Sequence, residues 1–431
     1  MNIPAISLIL VLFAFLMLFF SQTKFDYFPM VLIIGSITII FLLTIGIERE
    51  TIIGFINFRT LIFIFAMQII IFFATKDMVL EYITIKLLYV TKGNNRLLFY
   101  IICIFTALIV AFIEDLTLSL ILVPLIYRAC RILKIPAGTY MMGMTITINI
   151  GAILTPVSSL KNLIIGQEFG WGFGQYLANM GILFFLTLIC TVFLMDRYIL
   201  RKEEKPTEQN KELFLSMIDP KMVIQDKKYF LSTSIILLIT FMFMFIGFEP
   251  ALVTIIAAAI LLLIHYKNFQ ISDLKEDISL KILITFAILF ILSNSLTVLG
   301  FSEAISTGII SMINDNIFLA VLITLLLSTV LSAFLAGTPV TIILLPIISA
   351  IVDQGFFPNP IIIAFISGVN LAGNFLPQGS ACDLLTLNLA KKYNVVNLDY
   401  KRLLKNGALF ATIHFFIILG YTFIYTLIFN L

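Results

Sequence analysis

Charged residues are scarce in this chain of 431 residues, where Asp, Glu, Lys and Arg make up 12%. The four cysteines form no CxxC pair, the two histidines lie far apart, and neither a Ser/His/Asp set nor a nucleotide-binding glycine loop occurs. These absences argue against a metal site, a disulfide framework and the common enzyme classes. We therefore expect no enzymatic activity and no resident cofactor. Basic runs are also missing, so nucleic acid is not an expected partner.

Hydrophobic residues, in contrast, make up 61% of the chain, and its mean hydropathy is +1.12. Apolar stretches long enough to cross about 30 Å of hydrocarbon recur throughout. The first of them, 3–20, lacks a basic leader and a small-residue cleavage site, which predicts a retained helix rather than a signal peptide. The composition predicts an all-α polytopic membrane protein, in contact with lipid in the cytoplasmic membrane.

One pattern of landmark residues occurs twice, about half the chain apart. The spacing of the landmarks is the same in both copies, except that the copies differ by a single residue between the second proline and the asparagine. The first set is Ala111, Phe112, Pro124, Pro136, Asn149, Pro156, Ser159 and Leu163; the second is Ala333, Phe334, Pro346, Pro358, Asn370, Pro377, Ser380 and Leu384. The repeat predicts two halves, 1–200 and 229–431. The polar segment 201–228 between them is predicted to be a solvated cytoplasmic linker with room for a short surface helix.

Each half is predicted to contain five membrane-crossing helices, one of them interrupted, and one re-entrant hairpin. Glu114 and Asp115 separate two short apolar arms, and acids in a lipid-exposed turn would be costly, so a hairpin that enters and leaves on one side is favoured. Five crossings are an odd number, which makes the two halves inverted repeats. The hairpins are 97–133 and 317–353, and the interrupted helices are 139–169 and 360–390.

The distribution of basic residues supports this topology. With the N-terminus outside, 24 of the 27 lysines and arginines fall in cytoplasmic loops, and the exceptions are Arg49, Arg59 and Lys161. Treating either hairpin as two full crossings would reverse the loops that follow and remove this asymmetry. The first hairpin is therefore predicted to open to the cytoplasm and the second to the exterior, with both termini outside.

Polar residues within the repeated segments are the candidates for substrate binding. The returning arm of the first hairpin directs free N–H groups and its positive dipole end into the membrane interior, where they attract an anion or a polar solute. Pro156 interrupts the following helix, and irregular backbone at membrane depth persists only where it is buried in protein or lines a cavity. The candidates are Thr117, Ser119, Asn149, Thr155, Ser158, Ser159, Lys161, Asn162, Thr338, Thr341, Asn370, Asn374, Gln378 and Ser380.

Three acids, Glu114, Asp115 and Asp383, are candidates for binding the coupling ion, H⁺ or Na⁺. Carboxylates at membrane depth are costly to ionise and often mark ion pathways. Two alternatives remain open at this point. Asp115 can serve only as a helix cap, with Glu114 paired to a basic neighbour. Lys161 can bind an anion directly or neutralise one of the acids.

These segments resemble the ion-transporter superfamily that contains arsenite efflux permeases, NhaD-type sodium/proton antiporters and divalent-anion/sodium symporters. The segment Val157-Ser-Ser-Leu-Lys-Asn162 and the pair Glu114-Asp115 are similar to the arsenite permease branch. Asn370-Leu-Ala-Gly-Asn-Phe-Leu-Pro-Gln-Gly-Ser380 is similar to a pattern of the whole superfamily. The chain departs from it at the second hairpin tip, where Ala336-Gly337 replaces the usual Asn-Asn pair.

The resemblance implies a secondary active transporter for a small anion or a neutral oxyacid such as arsenite. It also implies an elevator-type alternating-access mechanism coupled to H⁺ or Na⁺, and a homodimer. A Na⁺/H⁺ antiporter is the alternative. A Na⁺-coupled dicarboxylate symporter is less favoured, because the Ser-Asn-Thr signatures of that branch correspond here to Glu114-Asp115-Leu116 and Ala336-Gly337-Thr338.

Overall fold

A computed structural model describes residues 28–113, 115–218, 220–267, 278–335 and 337–429. The predicted first crossing 3–20, Glu114 and Ala336 lie outside the described residues. All regular structure in the described ranges is helical. The α-helices are α1 Phe28–Thr44, α2 Arg49–Gly54, α3 Phe58–Lys76, α4 Val79–Val90, α5 Asn95–Val110, α6 Asp115–Leu133, α7 Ala137–Gly151, α8 Leu160–Phe169, α9 Phe173–Tyr198, α10 Glu208–Met217, α11 Lys227–Ile246, α12 Pro250–His265, α13 Leu280–Val298, α14 Phe301–Ile313, α15 Ile317–Phe334, α16 Gly337–Val352, α17 Pro358–Leu371, α18 Ala381–Lys392 and α19 Tyr400–Phe429.

Seven helices in the described part of the chain are long and apolar enough to cross a membrane: α3, α6, α9, α11, α13, α15 and α19. Shorter apolar helices, among them α1, α5, α12 and α16, complete the set. The predicted all-helical, multi-pass membrane protein is therefore confirmed. The seven long helices include α6 and α15, one arm of each predicted hairpin. The re-entrant course of the hairpins and the inverted orientation of the halves stay predictions.

The helix boundaries repeat along the chain together with the landmark residues. Helices α3 and α13 start as many residues apart in the chain as Ala111 and Ala333 do. Their ends are separated by the same number of residues. Helices α15 and α16 start at this same separation from α5 and α6. Helices α17 and α18 start at the separation of Asn149 and Asn370 from α7 and α8. Residues that the repeat matches in this way are called equivalents below.

Helix pairings also occur in equivalent sets. Helix α5 packs on α7, and its equivalent α15 packs on α17. Other pairings join the halves: α3 packs on α12 while α13 packs on α1, and α6 packs on α18 while α16 packs on α8. Each half therefore contributes a hairpin arm that packs against the interrupted helix of the other half. The two halves meet around a shared centre.

Two hydrophobic clusters divide the described helices into two bodies. One cluster is formed mainly by α5–α9 and α15–α19, which we call the hairpin body. The other is formed mainly by α1, α3 and α11–α13, which we call the frame. A few residues of the hairpin body, including Val157, Leu163 and Ile342, belong to the frame cluster and mark the contact between the bodies.

Close packing inside the hairpin body depends on small residues, because a glycine lets two helix backbones approach each other. A Cβ atom on Gly151 of α7 would clash with the backbone oxygen of Ala107 and the side chain of Val110, both on α5. Gly151 is the last residue of α7, so the close contact with α5 lies at the end of this helix.

The linker forms the short helix that the sequence allowed, α10, with Thr207 as its N-cap. The linker is less solvated than predicted. Phe214 is fully buried, and the carboxylate of Glu203 accepts hydrogen bonds from Arg402 Nη2 (2.9 Å) and Thr139 Oγ1 (2.6 Å). Apolar burial and an ion pair therefore dock this segment on the hairpin body.

Candidate functional site

A cavity of about 340 Å³ lies where the hairpin arms α6 and α16 meet the two interrupted helices. Eight of the predicted site residues line it: Asp115, Asn149, Ser159, Lys161, Thr338, Asn370, Gln378 and Ser380. The frame contributes Ile282, Thr285, Phe286 and Leu289 of α13 to the wall. Both halves thus contribute polar groups, and one frame helix closes the cavity with a largely apolar surface.

Both interrupted helices restart with the same serine cap. An irregular segment around Pro156 separates α7 from α8, and a matching segment separates α17 from α18. Ser159 Oγ accepts from the Asn162 N–H group (3.4 Å), and Ser380 Oγ accepts from the Asp383 N–H group (3.4 Å). Each cap satisfies one free N–H group at a helix start and leaves the others near the cavity.

The capping serines also bind across the halves. Ser159 Oγ donates to Asn370 Oδ1 (3.4 Å), and Ser380 Oγ donates to Asn149 Oδ1 (3.3 Å). Ser159 and Ser380 are equivalents, and so are Asn149 and Asn370. The two bonds are therefore copies of one contact, related by the two-fold pattern of the repeat.

The carboxamides extend this network beneath the cavity. Asn149 Nδ2 donates to Asn374 Oδ1 (2.8 Å), and Asn370 Nδ2 donates to Asn162 Oδ1 (2.7 Å). All four side chains are buried. Because buried polar groups are costly when unpaired, the network fixes both interrupted helices relative to each other.

Asp383 lies beside this network, 1% exposed. Thr145 Oγ1 donates to Asp383 Oδ1 (2.5 Å). Cys382 Sγ, also buried, lies 3.3 Å from the same hydroxyl and 2.8 Å from Ser119 Oγ. Thr145 was not predicted from the sequence. Thr145 lies four residues before Asn149 and therefore on the same face of α7, and this spacing could have predicted it as a site residue.

Asp115 starts α6 at the tip of the first hairpin. Its Oδ1 atom accepts from the Leu116 N–H group (2.9 Å), and its backbone oxygen accepts from Ser119 Oγ (2.9 Å). These bonds are the local helix-start contacts of the alternative interpretation. The same side chain lines the cavity, so the capping contact leaves Asp115 within reach of a bound ion.

Lys161 lies between the two hairpins. Its Nζ atom donates to the backbone oxygen of Val369 (3.2 Å), which also accepts from Ser332 Oγ (3.0 Å). A Cβ atom on Gly337, at the uncharged second tip, would come within 2.9 Å of the Lys161 side chain. The charge of Lys161 also acts on Asp115. Lys161 is the lysine that lines the cavity.

Other predicted residues lie outside the cavity lining, and most of them bond to backbone oxygens. Thr155 donates to the backbone oxygen of Ala111, and Thr341 donates to that of Gly337 (2.9 Å). Ser158 and Asn162 also donate to backbone oxygens, within the irregular segment itself. Thr117 is half-buried and outside the cavity lining. Thr155, Ser158 and Asn162 thus stabilise irregular backbone, which needs such partners where helical bonds are missing, whereas the Thr341 bond lies within regular helix α16.

The polar groups at the cavity are hydroxyls, carboxamides, one lysine and acids. Within the described ranges, no three His, Cys, Asp or Glu side chains come together as a transition-metal site requires. Oxygen atoms of this kind suit Na⁺ or a proton, and the N–H and hydroxyl donors suit an oxyanion or a neutral oxyacid.

Comparison with known proteins decides the family. The family model described as citrate transporter (CitMHS) matches residues 15–369 and, in a second match, 243–429. The chain belongs to the citrate transporter family. It is therefore a membrane transporter, and the resemblance to the superfamily of arsenite permeases is confirmed.

Two relatives of this citrate transporter family member match most of its length, and a third matches a shorter part. The "46 kDa membrane protein" of Mycobacterium leprae is 23% identical over 345 residues, 78% of this chain and 79% of that protein. The "Arsenical pump membrane protein" of Escherichia coli is 23% identical over 314 residues, 70% of this chain and 72% of that protein. The "P protein" of Sus scrofa is 26% identical over 176 residues, 39% of this chain and 20% of that protein.

Proposed function

We propose that this protein is a secondary active transporter of a small anion or a neutral oxyacid, driven by H⁺ or Na⁺. The observation that carries the proposal is the central cavity. Equivalent segments of both halves build it, Lys161 and Asp115 line it, and the buried Asp383 follows its lining residues Ser380 and Ala381 on α18. Irregular, polar backbone at the repeat interface is the usual form of a transporter's substrate site.

The chemistry of the cavity favours a solute rich in oxygen atoms. Lys161 supplies positive charge, and the starts of α8 and α18 supply free N–H groups with the positive ends of their dipoles. Hydroxyls and carboxamides add further donors. The names of the matched family and relatives, citrate transporter and arsenical pump, both point to solutes of this class, citrate and arsenite.

The acids near the cavity provide the coupling site. Asp383 is enclosed in the hairpin body, where an unpaired negative charge is costly. Binding of a proton or Na⁺ removes that cost, and Thr145 Oγ1 already supplies one oxygen neighbour. Asp115 lines the cavity itself and is the second coupling group; Glu114, beside it in sequence, is the third.

The proposed mechanism is a movement of the hairpin body against the frame. The two clusters pack as separate cores, which is what rigid-body alternating access requires. The exchange of helix partners between the halves supports inverted repeats with one re-entrant hairpin each. In the predicted orientation the first turns of α13, which border the cavity, face the cytoplasm. A homodimer belongs to the same proposal.

A Na⁺/H⁺ antiporter is the second candidate, and the observation that favours it is a pair of acids: Asp115 lines the cavity, and Asp383 is bonded through its N–H group to the cavity residue Ser380. The two candidates differ in what crosses the membrane. Proteoliposomes that take up labelled citrate or arsenite in a gradient-dependent, saturable manner support the first. Proteoliposomes that exchange Na⁺ for H⁺ without either solute support the second.

Replacing Lys161 with alanine is expected to weaken the apparent affinity for an anionic substrate about tenfold or more. A charge-assisted hydrogen bond contributes about 1.5–3 kcal/mol, and 1.4 kcal/mol corresponds to about a tenfold change. Concentration-dependent uptake into proteoliposomes measures the effect. The exposed Lys405→Ala variant is the control. Normal affinity in Lys161→Ala would remove this lysine from the substrate site.

A further inference from the structure

Gln167, at the end of α8, joins the hairpin body to the frame. Its Oε1 atom accepts hydrogen bonds from Asn57 Nδ2 (2.8 Å) and Thr60 Oγ1 (3.0 Å) at the start of α3. The Asn57 side chain is held in turn, because its Oδ1 atom caps α3 by accepting from the Thr60 N–H group (3.0 Å). Two donors on a fixed helix start therefore converge on one acceptor of the other body.

A second polar contact joins the bodies through the second hairpin. Pro346 lies inside α16 and has no N–H group to donate to the oxygen of Ile342, four residues earlier. Ser293 Oγ, on frame helix α13, donates to that oxygen (2.6 Å). Both residues are buried. The frame thus satisfies a carbonyl group that the proline leaves free.

The equivalent positions cannot supply both donors of the first contact. A two-fold exchange of the halves would bring the equivalent of Gln167 onto the start of α13. There the hydroxyl of Thr60 is replaced by an aliphatic side chain, and the carboxamide of Asn57 by a shorter hydroxyl. The equivalents are Ser279 for Asn57, Ile282 for Thr60 and Asn388 for Gln167.

The second contact is also one-sided. The first hairpin has a proline at the equivalent of Pro346, namely Pro124. The frame residue equivalent to Ser293 is Ile71, which has no hydroxyl group to donate. Both polar contacts between the bodies therefore depend on residue types that occur in only one copy of the repeat.

The cavity has the same asymmetry. Leu163 of α8 is 2% exposed and packs in the frame cluster. Its equivalent on α18, Leu384, is half-buried and lines the cavity beside Ile282. Leu163 and Gln167 border a separate space of about 730 Å³ between the start of α3 and α13, and no predicted site residue in the described ranges lines that space. The polar cavity is thus bordered by Leu384 and not by Leu163. In a carrier built from inverted repeats, the opposite state exchanges these roles.

We propose that Gln167 and Ser293 latch the hairpin body to the frame in this state, and that the chain has no matching latch for the opposite state. The transporter therefore rests with its cavity open beside α13, the cytoplasmic side in the predicted orientation. The proposal rests on the alternating-access mechanism described above. Loss of either latch bond is expected to shift the equilibrium toward the opposite state about tenfold, as neutral hydrogen bonds of this kind allow.

Two equivalent cysteine reporters test the latch. Leu384→Cys lines the polar cavity, whereas Leu163→Cys replaces a side chain that is 2% exposed here and is expected to become more accessible when the roles of the halves exchange. A membrane-impermeant maleimide is applied to inside-out and right-side-out vesicles, and protein without a reporter gives the background from the four native cysteines. With the latch intact, we expect fast labelling of Leu384→Cys and slow labelling of Leu163→Cys, from opposite sides.

Gln167→Ala and Ser293→Ala are each expected to raise the labelling rate of Leu163→Cys about tenfold and to lower that of Leu384→Cys. Gln167→Glu keeps an acceptor oxygen and should behave as the unmodified latch does. Asn388→Ala, at the equivalent of Gln167, is the matched control and should change neither rate. Unchanged rates in both alanine variants, or an equal shift in Asn388→Ala, would overturn the latch.

The reporters also separate failure of the latch from failure of the mechanism. If Leu163→Cys becomes labelled when citrate or arsenite and a gradient of H⁺ or Na⁺ are supplied, alternating access occurs. A labelling rate that Gln167→Ala does not change then refutes the latch alone. If Leu163→Cys is never labelled under any condition or in any variant, the exchanged state does not exist. Both proposals are then wrong.

Discussion

Asp383→Asn is expected to reduce gradient-driven accumulation of substrate at least about 100-fold while leaving substrate exchange in place. Asparagine has nearly the same shape as a protonated aspartate and can still accept a hydrogen bond from Thr145. It can neither release a proton nor compensate the charge of Na⁺. A loss of about 3 kcal/mol in the coupled process corresponds to this factor. Transport then continues only down the substrate gradient.

Two assays on the same proteoliposomes measure the difference. The first records accumulation driven by an imposed H⁺ or Na⁺ gradient, and the second records counterflow of labelled against unlabelled substrate. Thr386→Val is the matched control: Thr386 lies on the same helix, is fully buried, and its hydroxyl has no hydrogen-bond partner. Undiminished accumulation in Asp383→Asn would show that this acid does not carry coupling.

Asp115→Asn, measured in the same way, identifies the second coupling group. Asp115 lines the cavity and lies in the field of Lys161, whereas Asp383 is enclosed beside Thr145. If both variants lose accumulation, the acids act together. If only one does, the other has a structural role, which for Asp115 is the helix-start contact to Leu116.

The positions of the helices could be predicted from the sequence, because they depend on local residue preferences and on the repeat. Proline and glycine positions locate the interruptions between α7 and α8 and between α17 and α18. The separation of the two landmark sets, added to the start and end of α3, predicts the start and end of α13. The burial of Phe214 could not be predicted from the sequence, because a single aromatic residue in a polar linker forms no periodic hydrophobic pattern.

The residues of the cavity were predicted better than their partners. A polar residue on an irregular segment at membrane depth has to be buried or line a cavity, and eight candidates line this one. That Asn149 binds Asn374, and Asn370 binds Asn162, depends on how the halves pack, which no local pattern encodes. The asymmetry between the copies was not predicted either: two equivalent segments predict two equivalent surfaces, whereas Leu384 borders the polar cavity and Leu163 does not.

Gly151→Ala is expected to destabilise the protein by about 3 kcal/mol, the upper part of the usual range for overpacking. The added methyl group meets the backbone oxygen of Ala107, which cannot rotate away as a side chain can. Gly368→Ala should destabilise the protein less, because the Ser328 hydroxyl can rotate away and the fixed Ser328 Cβ atom, 2.8 Å from the added methyl group, is then the nearest obstacle. Gly181→Ala, in open space on α9, should cost nothing and can gain about 0.5–1 kcal/mol from helix propensity.

The order of the three glycine variants is the test. Size-exclusion chromatography after heating gives a thermal midpoint for each, and Gly151→Ala is expected to fall about 5 °C or more below Gly181→Ala. Gly151 lies two residues after Asn149, so a displaced helix end also moves the carboxamide network. We therefore expect transport to be impaired in Gly151→Ala even at temperatures at which the protein stays folded. Equal midpoints for Gly151→Ala and Gly181→Ala would contradict the close contact between α5 and α7.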